Sequence, residues 1–229
     1  MRVNAIILAA GRGTRMGERG SKVLLPVAGR PLILHTLDRF GSSHEVGRAV
    51  LVVPPGDVRT YEALLKGSPP EGLEVGVRPG GARRQDSVRA GLEALDPDCE
   101  FVIVHDGARP FAAADLIDRC VRESRRDRSV TAAVPARNTI KTVFDGRVKE
   151  TLPRSRLWEI QTPQAFPVRT LREAYALAER ERVEATDDAM LVEHMGAPVW
   201  VVDGSTVNLK VTYPEDILFA EALVARGVV

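Results

Sequence analysis

The chain has 229 residues, 44% of them hydrophobic, which suffices for the core of one α/β domain and leaves two domains cramped. Its 32 basic and 31 acidic residues give a net charge of +1, so no overall field points to DNA, RNA or an acidic membrane, and anion binding must come from local clusters. The two cysteines, Cys99 and Cys120, lack neighbours at metal-ligand spacing and read as buried thiols of a reducing cytoplasm. The first apolar run is too short for a signal-peptide core and no segment reaches bilayer-spanning length, so a soluble cytoplasmic protein is expected.

Apolar runs alternate with helix-period segments, the pattern of a mostly parallel sheet with helices on both faces. In chain order it predicts strands over 3–8, 48–53, 73–77, 101–104, 130–134 and 199–202. Helices are expected over 31–40, 58–66, 86–95, 113–125, 168–182 and 214–225, the first and last opening with proline. Between them, Ile140, Thr142 and Phe144 alternate, Asp145-Gly146 follows, and Val148 resumes, which marks a hairpin. A hairpin inserted in a strand-helix series reads as a β-arm over 137–162 projecting from a single domain of residues 1–229. A two-stranded arm is marginal alone, so a partner subunit is the simplest support; the alternative is an arm folded back on its own sheet.

The residues after the first strand carry the first chemical signal. Gly11, Gly13 and Gly17 allow close backbone approach to an anion, and Arg12, Arg15, Arg19 and Lys22 add positive charge, a combination suited to a nucleoside triphosphate. The spacing is neither the dinucleotide fingerprint nor a P-loop. In open α/β sheets ligands sit at the carboxyl ends of strands, and the turns there form one set. The turn from Arg78 to Ser87 offers backbone groups and a hydroxyl to a base or ribose, with Gly80, Gly81 and Arg84 among its residues. Asp106, after four apolar residues, is placed to hold a divalent cation, and the run from Asn208 to Thr212 adds an amide, Lys210 and a hydroxyl. His105 is expected to be packed or hydrogen-bonded and not a general base; His35, His44 and His194 lack triad or zinc partners.

With these residues assembled, the chain resembles the 2-C-methyl-D-erythritol 4-phosphate cytidylyltransferases of the non-mevalonate isoprenoid pathway. The likeness runs over essentially the whole length: the string from Ala9 to Met16, Gly80-Gly81 with Arg84 and Ser87, and Val102 to Pro110. It continues through Asn138 to Lys141, Arg154 ahead of Leu157-Trp158, Thr162-Pro163-Gln164, Thr186-Asp187, and Asn208 to Thr212. The chain departs from the family pattern at Ser21 and Val23 around Lys22, at Ala82, and at Asn138.

The resemblance implies a three-layer, Rossmann-like nucleotidyltransferase fold and attack of the acceptor phosphate on the α-phosphorus of CTP, with Mg2+ or another divalent cation. Arg15, Lys22, Arg154 and Lys210 are the implied catalytic residues. Ala9, Ala10, Gly11, Gly13, Gly81, Arg84, Ser87 and Asp106 would hold the nucleotide and its cation, with Asn208 a second metal candidate beside Asp106. Arg109, Thr139, Arg154, Thr186, Lys210 and Thr212 would hold the erythritol phosphate. A homodimer in which the arm delivers Thr139 and Arg154 to the neighbouring site is also implied. The alternatives are a ribitol-5-phosphate cytidylyltransferase or another sugar-phosphate nucleotidyltransferase; a non-catalytic nucleotide sensor and a dehydrogenase are rivals of other classes.

Overall fold

The computed structural model describes residues 2–11 and 21–228. The run from Val3 to Leu8, polar only at Asn4, can leave neither face wet. It forms strand β1 (Arg2–Leu8), with Val3, Ala5 and Ile7 buried toward one side and Ile6 and Leu8 packed toward the other. Asn4 is satisfied by donating to the Asp96 carboxylate at 2.9 Å.

A short ribbon, β2 (Pro26–Val27) and β3 (Arg30–Pro31), leads into α1 (Leu32–Gly41). Then come β4 (Arg48–Val53), α2 (Val58–Gly67), β5 (Glu74–Pro79), α3 (Arg84–Glu93), β6 (Cys99–Asp106), α4 (Ala114–Ser124) and β7 (Ser129–Pro135). The arm strands β8 (Lys141–Phe144) and β9 (Arg147–Thr151) precede β10 (Trp158–Pro167), α5 (Val168–Glu181), α6 (Asp188–His194), β11 (Val199–Asp203) and α7 (Pro214–Ala225). The six expected strands and six expected helices are present, with ends shifted by one or two residues at most positions and the last helix unshifted.

The main sheet has seven strands in the order β11-β7-β10-β6-β1-β4-β5. All neighbours are parallel except β10, which runs antiparallel to both β6 and β7. One core, containing Leu32, Leu37, Tyr61, Leu116 and Ala220, lies under α1, α2, α4 and α7. The other, containing Val88, Leu92, Leu171 and Leu191, lies under α3, α5 and α6. The architecture is therefore three-layered and mostly parallel, as the alternation of patterns predicts.

Register aligns the strand ends that matter. Leu8 stands opposite both Val52 and Asp106, and Val53 stands opposite Pro79. The turns that follow are laced together, with Ala9 N–H donating to Val52 O at 2.7 Å, Gly80 N–H to Val53 O at 2.8 Å and Gly107 N–H to Leu8 O at 2.8 Å.

The Asp145-Gly146 turn has positive φ at both residues, 48° and 71°, the requirement of a two-residue hairpin whose twist matches its strands. Every residue of β8 and β9 is exposed, so the arm is not folded back on its own sheet. From Trp158 onward the chain already pairs with β7, so the last residues of the 137–162 segment belong to the main sheet. Pro163 sits in this central strand at an irregularity between Ile160 and Gln164, where pairing with β7 lapses and its missing N–H removes no ladder bond to that strand. Among the described residues no helix is long and apolar enough to cross a membrane.

Candidate active site

The turns after β1, β5 and β6, together with residues 208–212, enclose a cleft of about 310 Å3. Ala9, Ala10 and Gly11 form one wall, Gly81, Arg84 and Ser87 another, and Lys22, Asp106, Lys210 and Thr212 the rest. Among the described residues its charged lining is Lys22, Arg83, Arg84 and Lys210 against the one carboxylate of Asp106, a balance suited to a polyanion. A second cleft of about 210 Å3 adjoins it, lined by Arg109, Thr162, Gln164, Thr186 and Asp187 and sharing Arg84, Asp106 and Lys210 with the first. These three residues are the seam between the two spaces.

The glycine-rich turn after β5 is built for close approach. A Cβ on Gly80 would stand 2.8 Å from the Ala10 Cβ and 2.7 Å from the Ser87 hydroxyl. Ser87 Oγ accepts from Gly81 N–H at 3.2 Å and donates to Arg83 O at 3.2 Å, which fixes the hydroxyl at the cleft wall with one lone pair left over. Lys22 enters from a 3-10 turn over 22–24, and its Nζ donates to Val211 O at 2.8 Å. Val211 N–H in turn donates to Ala108 O at 2.8 Å, so the 208–212 segment is tied to the turn after β6.

Asp106 is the electrostatic centre. Lys210 Nζ lies 2.7 Å from Oδ2, Arg109 Nε 3.8 Å from Oδ2 and Arg84 Nε 3.9 Å from Oδ1. Burial by itself would raise this carboxyl, but the charges of Lys210, Arg84 and Arg109 and the Lys210 hydrogen bond outweigh it and hold the group well below the usual carboxylate range. It is therefore an anion at any working pH. Arg109, whose burial lowers its pKa, donates from Nη1 to Asn208 O at 2.8 Å.

His105 is fully buried, and burial pushes its imidazole down to about 4 against the opposing hydrogen bond to Arg109 O. It is neutral at pH 7 with a defined tautomer: Nε2–H donates to Arg109 O at 3.0 Å, while Nδ1 accepts from the Thr162 hydroxyl at 3.0 Å. Thr162 Oγ1 accepts in turn from Asp106 N–H at 3.0 Å. The histidine is a hydrogen-bonded brace behind Asp106 and Arg109, in line with the expectation that it is packed or hydrogen-bonded.

Of the residues singled out in the sequence, Ala9, Ala10, Gly11, Lys22, Gly81, Arg84, Ser87, Asp106, Lys210 and Thr212 line the first cleft. Arg109 and Thr186 line the second. Thr139 and Arg154 line neither; Arg154 sits at the base of the arm, its Nη1 donating to Arg137 O at 2.8 Å. Asn208 is fully buried behind the cleft and donates through Nδ2 to Gln161 Oε1 at 3.0 Å and Thr162 O at 2.9 Å. Its Oδ1 is a buried atom with no hydrogen-bond partner among the described residues. Arg15 and Gly13 lie outside the described residues. Gln161, Thr162, Gln164 and Asp187, not singled out as site residues, also line the second cleft. Thr162, Gln164 and Asp187 carried a signal in the strings Thr162-Pro163-Gln164 and Thr186-Asp187 that match the family pattern, whereas Gln161 lies just outside those strings.

The family model described as 2-C-methyl-D-erythritol 4-phosphate cytidylyltransferase matches residues 3–226. A relative of that name from Pelotomaculum thermopropionicum is 42% identical over 224 residues, covering 97% of this chain and 94% of the relative. Among solved structures, the 4-diphosphocytidyl-2C-methyl-D-erythritol synthase of Anaerococcus prevotii superposes with a TM-score of 0.86 at 33% identity, covering 98% of this chain and 96% of that one. The Thermus thermophilus 2-C-methyl-D-erythritol 4-phosphate cytidylyltransferase does so at 0.80 and 36%, covering 98% and 100%. With the full-length match and the strand-end clefts in agreement, the chain belongs to the 2-C-methyl-D-erythritol 4-phosphate cytidylyltransferase family.

Proposed function

We propose that this chain joins CTP to 2-C-methyl-D-erythritol 4-phosphate, yielding 4-diphosphocytidyl-2-C-methyl-D-erythritol and diphosphate for isoprenoid precursor synthesis. The observation that carries the reading is the seam of Arg84, Asp106 and Lys210 between a larger cation-lined cleft and a smaller polar one. The nucleotide occupies the first and the acceptor the second. An acceptor phosphate oxygen attacks the α-phosphorus as the bond to the β-phosphate oxygen breaks, and diphosphate leaves with that oxygen. The nucleophile is already anionic near pH 7, so no strong general base is needed, which accords with a neutral, internally bonded His105.

Lys22 and Arg15 stabilise charge on the reacting phosphoryl group, with the backbone of Ala9, Ala10 and Gly11 against the triphosphate. Gly81 and Ser87 face the base and sugar; Arg109, Thr186, Lys210 and Thr212 hold the acceptor. Asp106, kept ionised, would hold the divalent cation, with Asn208 Oδ1 the second donor to consider. A single carboxylate beside substrate phosphates suits Mg2+, which keeps most of its shell from water and phosphate. Such a cation would supply charge neutralisation between the phosphates.

The arm completes the site in a homodimer by carrying Thr139 and Arg154 to the neighbouring subunit. Supporting this, neither residue lines either of these two clefts in its own chain, and Val143, Phe144 and Val148 on the arm are 60%, 71% and 58% exposed. The buried thiols of Cys99 and Cys120 suit a reducing cytoplasm. Diphosphate release from a panel of nucleoside triphosphates and polyol phosphates tests the reaction. Release only with other pairs would overturn it.

A further inference from the structure

Asp188 opens α6 and is completely buried, and nothing in the proposed chemistry uses it. An ionised carboxylate out of water needs a charged partner and hydrogen bonds to both oxygens. Asp188 has them: Oδ2 accepts from Arg84 Nη2 at 2.7 Å and Oδ1 from the Tyr175 hydroxyl at 2.6 Å. Its backbone N–H donates to Gln164 Oε1 at 3.2 Å, and Gln164, also fully buried, donates to Thr131 Oγ1 and the Asp187 carboxylate. The acid is thus held by β10, α5 and its own helix.

Its guanidinium partner is not hidden. Arg84 lines both clefts, and its Nε faces Asp106 Oδ1 at 3.9 Å, much farther than the 2.7 Å contact with Asp188. Two carboxylates compete for one guanidinium, and the more deeply buried one has it. Released from Asp188, Arg84 would close on Asp106 and cover the seam. Burial raises the Tyr175 phenol far above its ordinary value, so its hydroxyl stays a donor throughout the working range.

Resting on the reaction proposed above, we propose that Asp188, backed by Tyr175, is a positioning residue that holds Arg84 at the seam and away from Asp106, so that its guanidinium meets the substrate phosphates in one fixed orientation.

The test is a double-mutant cycle on kcat and KM for CTP and for the acceptor, with thermal midpoints alongside, using Asp188→Asn, Tyr175→Phe, Arg84→Gln and their combinations. Loss of a charged hydrogen-bond partner predicts a fall in kcat/KM of about tenfold or more for Asp188→Asn and a smaller fall for Tyr175→Phe. In the Arg84→Gln background either change should add less than about twofold. Wild-type constants in folded Asp188→Asn and Tyr175→Phe, or effects that multiply undiminished in the Arg84→Gln background, would overturn the inference. Should Asp188→Asn fail to fold, the Tyr175→Phe cycle decides by itself. If the wild-type chain releases no diphosphate, the reaction is overturned instead, and the same cycle read by calorimetric binding of CTP with Mg2+ tests the positioning on its own: non-additivity supports it and simple additivity refutes it.

Discussion

Lys210 Nζ lies 2.7 Å from Asp106 Oδ2, so the lysine proposed to hold the acceptor phosphate and the carboxylate proposed to hold the cation are partners of each other. In the reaction proposed above, a cation on Asp106 would compete with Lys210 for the same carboxylate. Asp106→Asn removes the charge that balances Lys210, Arg84 and Arg109. Activity should fall by about a hundredfold or more, with the Mg2+ concentration for half-maximal rate shifted upward. An unchanged Mg2+ titration would remove Asp106 from the cation site.

Lys22 is placed by its bond to Val211 O against the same loop that carries Lys210. If its charge acts on the reacting phosphoryl group, Lys22→Ala should lower turnover by about a hundredfold while calorimetric CTP affinity changes far less. Equal losses in binding and turnover would make it a ground-state contact only.

The buried, internally hydrogen-bonded imidazole of His105 gives a pH signature in metal-free protein. The folded imidazole titrates at about 4 and the unfolded one near 6.5, so between those values the unfolded chain takes up a proton that the folded chain refuses. Stability is therefore lost as pH falls through this window, by about 3 kcal/mol in full. Urea unfolding at pH 7 and pH 4.5 in chelator should show His105→Gln with a visibly smaller difference between the two conditions than the wild type. An identical difference would mean that burial does not hold the imidazole neutral.

A shared site predicts complementation. Lys22→Ala and Arg154→Ala subunits, each nearly inactive alone, should recover part of the activity when mixed, since some heterodimers then carry one site with both residues intact. Proven heterodimers without recovery would mean that Arg154 acts within its own subunit or not at all.

The expected strands and helices were legible from local signals: Val3 to Leu8 is too apolar for either face to stay wet, and Pro214 to Ala225 is a helix entered by proline. The arm was legible from Asp145-Gly146, where turn chemistry is local. What escaped depends on distant partners. The stretch from Trp158 to Pro167 is a central strand although it carries Gln161, Thr162 and Gln164 buried, because those polar groups are satisfied by Asn208, His105, Asp187 and other groups far along the chain. The short helix opened by Asp188 follows the same logic, its buried acid making sense only beside Arg84 and Tyr175. The cleft lining around Lys22, Arg84, Asp106 and Lys210 was readable because all four follow strand ends or short turns. Asn208 was singled out as a metal candidate only through the resemblance, and the partners of its Nδ2, Gln161 and Thr162, lie far along the chain and could not be read from its neighbours in sequence.

The central claim is the transfer itself, and diphosphate release from CTP and 2-C-methyl-D-erythritol 4-phosphate in Mg2+ tests it most directly. The account predicts stoichiometric diphosphate and 4-diphosphocytidyl-2-C-methyl-D-erythritol with this pair, and much slower release with ribitol 5-phosphate or with another triphosphate. Release that is absent with this pair, or faster with ribitol 5-phosphate, would contradict it.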